Sequence, residues 1–108
     1  RDTCSPQKGG KTVLMGRIDT LVSELKSRSL VDRKRAAAEL GRLGDAKAGP
    51  HLVKALDDPN SHVRSEAAFA LGLIGYIGGV DRLIERLRDT DKYVRKSAAK
   101  ALGLLRAR

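Results

Sequence analysis

The chain has 108 residues, 32% of them charged and 41% hydrophobic, with a formal net charge of +9. That length fits one domain able to bury a core without covalent staples. A single cysteine, Cys4, excludes an intramolecular disulfide and fits a reducing, cytoplasmic setting, and no apolar run approaches the ~18 residues of a membrane span.

Residues 1–13 read as a flexible basic tail, rich in Gly, Lys, Ser and Pro. No apolar stretch follows Arg1, so a secretory signal is not expected. The chain does not open on Met, which is expected of a trimmed chain or of a piece of something longer. The stretch KGGKT, Lys8 to Thr12, has the look of a phosphate-binding loop. The full motif needs a glycine five residues before Gly10, where Ser5 stands, and no strand precedes it, so that chemistry is not expected.

From about Leu14 the chain repeats itself every 31 residues, and residues 14–108 read as one repeat domain. Seven columns are identical in three copies: Leu21/Leu52/Leu83, Leu25/Leu56/Leu87, Arg33/Arg64/Arg95, Ala36/Ala67/Ala98, Ala37/Ala68/Ala99, Leu40/Leu71/Leu102 and Gly41/Gly72/Gly103. Each copy predicts two helices. The first carries apolar residues at i, i+3, i+4 and i+7: Ile18, Leu21, Val22 and Leu25, or Val80, Leu83, Ile84 and Leu87. The second carries the Ala-Ala-x-x-Leu-Gly columns. Ser29, Asn60 and Asp91 share one column and are all good N-caps. Gly44 and Gly75 stand where a C-terminal capping glycine is expected, and Pro50 fits a first turn. Glycine inside a helix costs ~1 kcal/mol against alanine. Its presence at Gly41, Gly72 and Gly103 predicts a crossing helix that leaves no room for a methyl group. The fold expected is all-α: an α-α superhelix of about three hairpins of 31 residues, because one hairpin cannot hide its apolar face alone.

The pattern D-x-x-x-x-V-R-x-x-A-A-x-A-L-G-x-I-G resembles the short HEAT-like repeats first grouped with phycobilisome lyases. Asp58, Val63, Arg64, Ala67, Ala68, Ala70, Leu71, Gly72, Ile74 and Gly75 match it, as do Asp89, Val94, Arg95, Ala98, Ala99, Ala101, Leu102 and Gly103. The first copy departs from it at Ser27, Asp32 and Glu39, which stand for Asp, Val and Ala. The resemblance implies a structural ladder in which Asp58 with Arg64, and Asp89 with Arg95, tie a loop to the next helix. Phosphate binding by the Arg33, Arg64 and Arg95 column is the competing reading.

No catalytic site is expected. His51 and His62 lie eleven apart with no acidic or thiol partner at ligand spacing. Hydroxylases of the resembled family carry His-Glu pairs, whereas Leu52 follows His51 and Val63 follows His62. No serine or cysteine has a base beside it. The chain therefore reads as a non-enzyme with neither metal nor cofactor. Three aromatic residues, Phe69, Tyr76 and Tyr93, are too few for a base-stacking platform and are expected at helix ends.

Charge is concentrated at the ends. Residues 92–108 hold six basic groups and no acidic one, while residues 61–91 hold four and five. Lys92, Lys96 and Lys100 follow one another at i, i+4 on the last helix. If the first helix of each pair lines the concave face, Lys54, Arg82, Arg86 and Arg88 lie on it with Thr20, Glu24, His51 and Glu85. The function expected is a scaffold or adaptor that binds a protein partner through the concave face or the exposed terminal helix. The alternative is contact with nucleic-acid or ribosomal RNA phosphates through the basic ends. A bilin-lyase-like chaperone role is a third reading, implied only by the resemblance. The apolar residues Val94, Ala98, Ala99, Ala101, Leu102, Leu104 and Leu105 also predict, at the C-terminal end, self-association or docking on a partner or a missing repeat.

Overall fold

The computed structural model describes the backbone of residues 10–106 and the side chains of residues 17–106. Among these residues every regular element is helical: α1 (Gly10–Glu24), α2 (Leu30–Leu43), α3 (Gly49–Ala55), α4 (Ser61–Ile74), α5 (Val80–Arg86) and α6 (Lys92–Arg106). Short 3-10 turns, Ala46–Ala48 and Ile77–Gly79, lead into α3 and α5. The expected α-α solenoid is thus present as three stacked hairpins, α1/α2, α3/α4 and α5/α6. α1 already begins at Gly10, so Gly10 to Val13, read from the sequence as tail, are helical; residues 1–9 lie outside the described part.

The hairpins are cut to length by local chemistry. Ser29 Oγ accepts from the Asp32 N–H at 3.3 Å, Asn60 Oδ1 from that of His62 at 2.8 Å and Asp91 Oδ1 from that of Tyr93 at 2.8 Å. Each bond satisfies an N–H that has no partner inside its own helix. At the other ends of α2 and α4, Gly44 and Gly75 adopt φ of +72°, a left-handed conformation that side chains other than glycine's resist. Pro50 sits in the first turn of α3, where its missing N–H leaves nothing unpaired.

One continuous core runs through the stack. Leu40, Leu52, Leu56, Leu71 and Leu83 are fully buried, together with the Ala36/Ala67/Ala98 column. Small residues let the second helices close on one another. A Cβ built at Gly41 would lie 2.9 Å from the Ala70 Cβ, and one at Gly72 would lie 2.7 Å from the Ala101 Cα. The close-approach reading of the glycine column therefore holds at two positions. It fails at the third: Gly103 is exposed, and a Cβ there would meet nothing within 4 Å, because α6 is the last helix described.

The two layers differ in spacing. α4 lies tightly along both α2 and α6, whereas α3 approaches α5 far less closely. A double layer packed close on one side and loosely on the other curves toward the close side. The concave face is therefore made by α2, α4 and α6, the second helices. This corrects the sequence expectation, which placed the first helices there; helical periodicity gives the buried stripe of a helix but not which layer of a stack is the narrower. The result is a slab 47 × 31 × 15 Å, with broad faces suited to contact.

Candidate protein-binding surface

The Asp and Arg columns form a ladder, but its rungs cross between repeats. Arg64 Nε donates to Asp89 Oδ2 at 2.9 Å, and Arg33 Nε donates to Asp58 Oδ2 at 2.9 Å. Inside its own repeat each arginine reaches only main chain: Arg64 Nη1 donates to the Asp58 carbonyl at 2.8 Å, and Arg95 Nη1 to the Asp89 carbonyl at 2.8 Å. The loop-to-helix ties of Asp58 with Arg64 and of Asp89 with Arg95 implied by the resemblance are therefore made through the Asp carbonyls, while the Asp58 and Asp89 carboxylates serve the arginine of the preceding hairpin. A guanidinium six residues after its Asp comes back over the loop and meets the carbonyl. The carboxylate on the same loop points to the preceding hairpin and also accepts its own loop's N–H, Asn60 to Asp58 and Asp91 to Asp89, at 2.9 Å.

Burial pushes the Asp89 carboxyl up. Hydrogen bonds from Arg64 and from the Asp91 N–H, with the charges of Arg64 and Arg86, outweigh this and hold it below its usual value. Arg33 and Arg64 are thus occupied by structure, which removes the phosphate-binding reading for those two positions.

The convex layer holds the first group of basic residues singled out in the sequence. Arg82 pairs with Asp57 and lies 3.4 Å from Glu85, and Arg86 Nη1 is 3.1 Å from Asp89. These charges are spent on neighbouring turns. Lys54, with Lys26 and His51, lines a cleft of about 210 Å³ between α1 and α3, and Arg88 is exposed. Lys54, Arg82, Arg86 and Arg88 therefore do not share a face with Lys96 and Lys100, as a single basic site would require.

The concave layer carries a groove that the sequence reading missed. Phe69 lies in mid-helix on α4, not at a helix end, and separates two adjoining hollows. One, about 180 Å³, is bounded by Ala38, Arg42, Glu66, Ala70 and Leu73. The other, about 250 Å³, is bounded by Ser65, Glu66, Lys96, Ser97 and Lys100. Lys100 Nζ stands 5.6 Å from the centre of the Phe69 ring, within cation–π range. Lys92 Nζ makes a similar contact, 5.4 Å from the exposed Tyr93 ring. Among the described residues no carboxylate pairs with Lys92, Lys96 or Lys100.

A usable signal was in the repeat itself. Most of the groove's lining residues come from second-helix columns whose chemistry changes from copy to copy: Glu66 and Ser97 from the column Arg35/Glu66/Ser97, all of Ala38/Phe69/Lys100, and Arg42 and Leu73 from Arg42/Leu73/Leu104. Constant columns serve the packing that every repeat shares, so the variable columns of the same helices are the ones free to serve a ligand.

Stacked hairpins bound by a shared core and a cross-repeat Arg–Asp ladder define an α-solenoid repeat protein. A family model described as HEAT repeats matches residues 18–103, and the chain belongs to that family. A search of curated proteins finds no match. Among solved structures, human deoxyhypusine hydroxylase in complex with glycerol is 30% identical with a TM-score of 0.79, over 84% of this chain and 32% of that one. The complex of CpcE and CpcF of phycocyanin lyase from Nostoc is 30% identical with a TM-score of 0.78, over 97% of this chain and 40% of the other. An engineered protein is 32% identical with a TM-score of 0.68, over 81% and 44%. The chain thus spans less than half the length of each. HEAT repeats generally act as protein-interaction scaffolds. No helix among the described residues is long and apolar enough to cross a membrane, and no group of metal-ligating side chains forms among them.

Proposed function

We propose that this chain is a non-enzymatic adaptor that holds an acidic segment of a partner protein in the concave α2–α4–α6 groove. The observation that carries this reading is the surrounding of Phe69. An apolar ring lies between two hollows, with the Lys100 ammonium over it and Lys96 beside it; Glu66 borders both hollows, but among the described residues no carboxylate is within ion-pair distance of either lysine. An amphipathic segment with one apolar side chain and two or more carboxylates complements that arrangement: the apolar group fills a hollow and the carboxylates neutralise the lysines. Ion pairs already made within the chain reduce the appeal of the convex face. With its lone Cys4, the adaptor is assigned to the cytoplasm.

The test compares native-source pull-downs, quantified by mass spectrometry, with wild-type chain and with a Lys96→Glu/Lys100→Glu double variant. A partner captured by wild type and lost by the variant, at unchanged helical circular dichroism, supports the reading. Equal capture by both overturns it. So does retention on duplex RNA that is tight at low salt and falls steeply as salt rises, which would assign the lysines to phosphates.

A further inference from the structure

The two junctions of the convex layer use the same repeat positions with different chemistry. At the second, between α3 and α5, charge is closed on itself: Arg82 pairs with Asp57 and Glu85, and Arg86 pairs with Asp89. One repeat earlier, between α1 and α3, Lys26 stands for Asp57, His51 for Arg82, Lys54 for Glu85 and Ala55 for Arg86. Both carboxylates that hold Arg82 have become lysines. The second arginine has become a methyl group, and Ala55 lines the cleft of about 210 Å³ found at this junction.

Space and positive charge therefore come together. Lys26, His51 and Lys54 border the cleft from two different hairpins, and none of them has an ion-pair partner among the described residues. The one carboxylate at the rim, Asp58, already accepts from Arg33 at 2.9 Å and from the Asn60 N–H at 2.9 Å. Val22, Leu25 and Ala55 supply an apolar wall. The cleft is smaller than the about 300–1,000 Å³ of pockets that take drug-sized ligands, so its occupant is a small group. A lone carboxylate would leave one of the two lysines unbalanced. A phosphate monoester, whose second pKa is about 6, brings close to two negative charges at neutral pH. Its oxygens accept from several donors at once, and its organic end can lie on the apolar wall.

We propose that the α1/α3 cleft binds a phosphate monoester. Lys26 and Lys54 neutralise the dianion, His51 donates an imidazole N–H to it, and Val22, Leu25 and Ala55 receive the carbon next to the ester oxygen. The bound dianion does at the first junction what Asp57 and Glu85 do at the second. The cleft lies between two described hairpins, so the site does not depend on what stands at either end of the stack. It is on the opposite layer from Phe69 and is independent of what the concave groove binds.

Propyl phosphate titrated into the isotope-labelled full chain at physiological salt tests this through amide chemical shifts. The shifts are expected to centre on Lys26, His51 and Lys54, with a Kd on the order of 1 mM. Lys26→Gln and Lys54→Gln should each weaken binding about two- to five-fold, the range of solvent-exposed ion pairs. The Lys26→Asp/Lys54→Glu double variant installs the carboxylates of the second junction and should abolish binding at unchanged helical circular dichroism. If charge reversal unfolds the chain, Lys26→Gln/Lys54→Gln takes its place. A phosphoserine peptide, with its unphosphorylated twin as control, distinguishes the sources of the phosphate. Propyl phosphate binding at least as tightly assigns the cleft to a free small ester, and tighter binding of the phosphopeptide assigns it to a phosphorylated protein segment; both support the proposal. No shift with either ligand overturns it. So do shifts that persist in the double variant, or shifts centred on Lys96 and Lys100 instead.

Discussion

Arg64 closes on Asp89 of the following hairpin, 25 residues away, with Nε at 2.9 Å and Nη2 at 3.1 Å from the two carboxylate oxygens. The pair is nearly dry: the side chains are 13% and 2% exposed. A two-pronged contact of this kind fixes both the distance between hairpins and their relative rotation. The same contact recurs between Arg33 and Asp58, so each of the first two hairpins is tied to the one that follows.

Breaking that pair from one side leaves the Asp89 carboxylate with only Arg86 and the Asp91 N–H. Arg64→Ala is expected to cost about 1.5–3 kcal/mol in urea unfolding, the loss of hydrogen bonds to a charged group. Arg95→Ala removes bonds to two carbonyls and no ion pair, so its expected cost is only about 0.5–1 kcal/mol. Equal losses at the two positions would show that the carboxylate contributes nothing.

Acid should loosen the stack through the same residue. The Asp89 carboxyl titrates lower in the folded chain than in the unfolded one. Its contribution is therefore complete above about pH 4, the range in which unfolded carboxylates ionise, and is lost as the pH falls below that toward the folded value. Thermal melts between pH 5 and pH 2 should show a decline that is shallower in Asp89→Asn, which is less stable at neutral pH.

The glycine column separates interior from edge. Gly72→Leu drives a side chain into the Ala101 backbone and is expected to cost at least ~1–3 kcal/mol. Gly103→Leu meets open space and gains helix propensity, so it is expected to be neutral or stabilising by up to about 1 kcal/mol. Melting temperatures that move equally in both variants would contradict the packing described for Gly72.

Asn60 caps α4 by accepting the His62 N–H at 2.8 Å. Asn60→Ala should cost about 1 kcal/mol, while Asn60→Ser or Asn60→Asp should restore most of it. Denaturant midpoints for the three variants decide the point.

The sequence by itself determined the hairpins. The 31-residue period, the apolar stripe of each first helix, the caps at Ser29, Asn60 and Asp91, and the stops at Gly44 and Gly75 depend on residues within a few positions of one another, so they could be read without coordinates. What one hairpin does to the next was decided only in three dimensions. Arg64 stands six residues from Asp58 and 25 from Asp89, and only the stacking geometry turns its guanidinium to the distant one. The choice of concave layer likewise depended on how far α4 and α6 could close over Gly72, compared with how far α3 and α5 remained apart. Gly103 shows the limit most plainly. It is the same letter in the same column as Gly41 and Gly72, yet no neighbouring helix closes on it among the described residues, because a side chain's surroundings are supplied by the neighbouring repeat and not by its own.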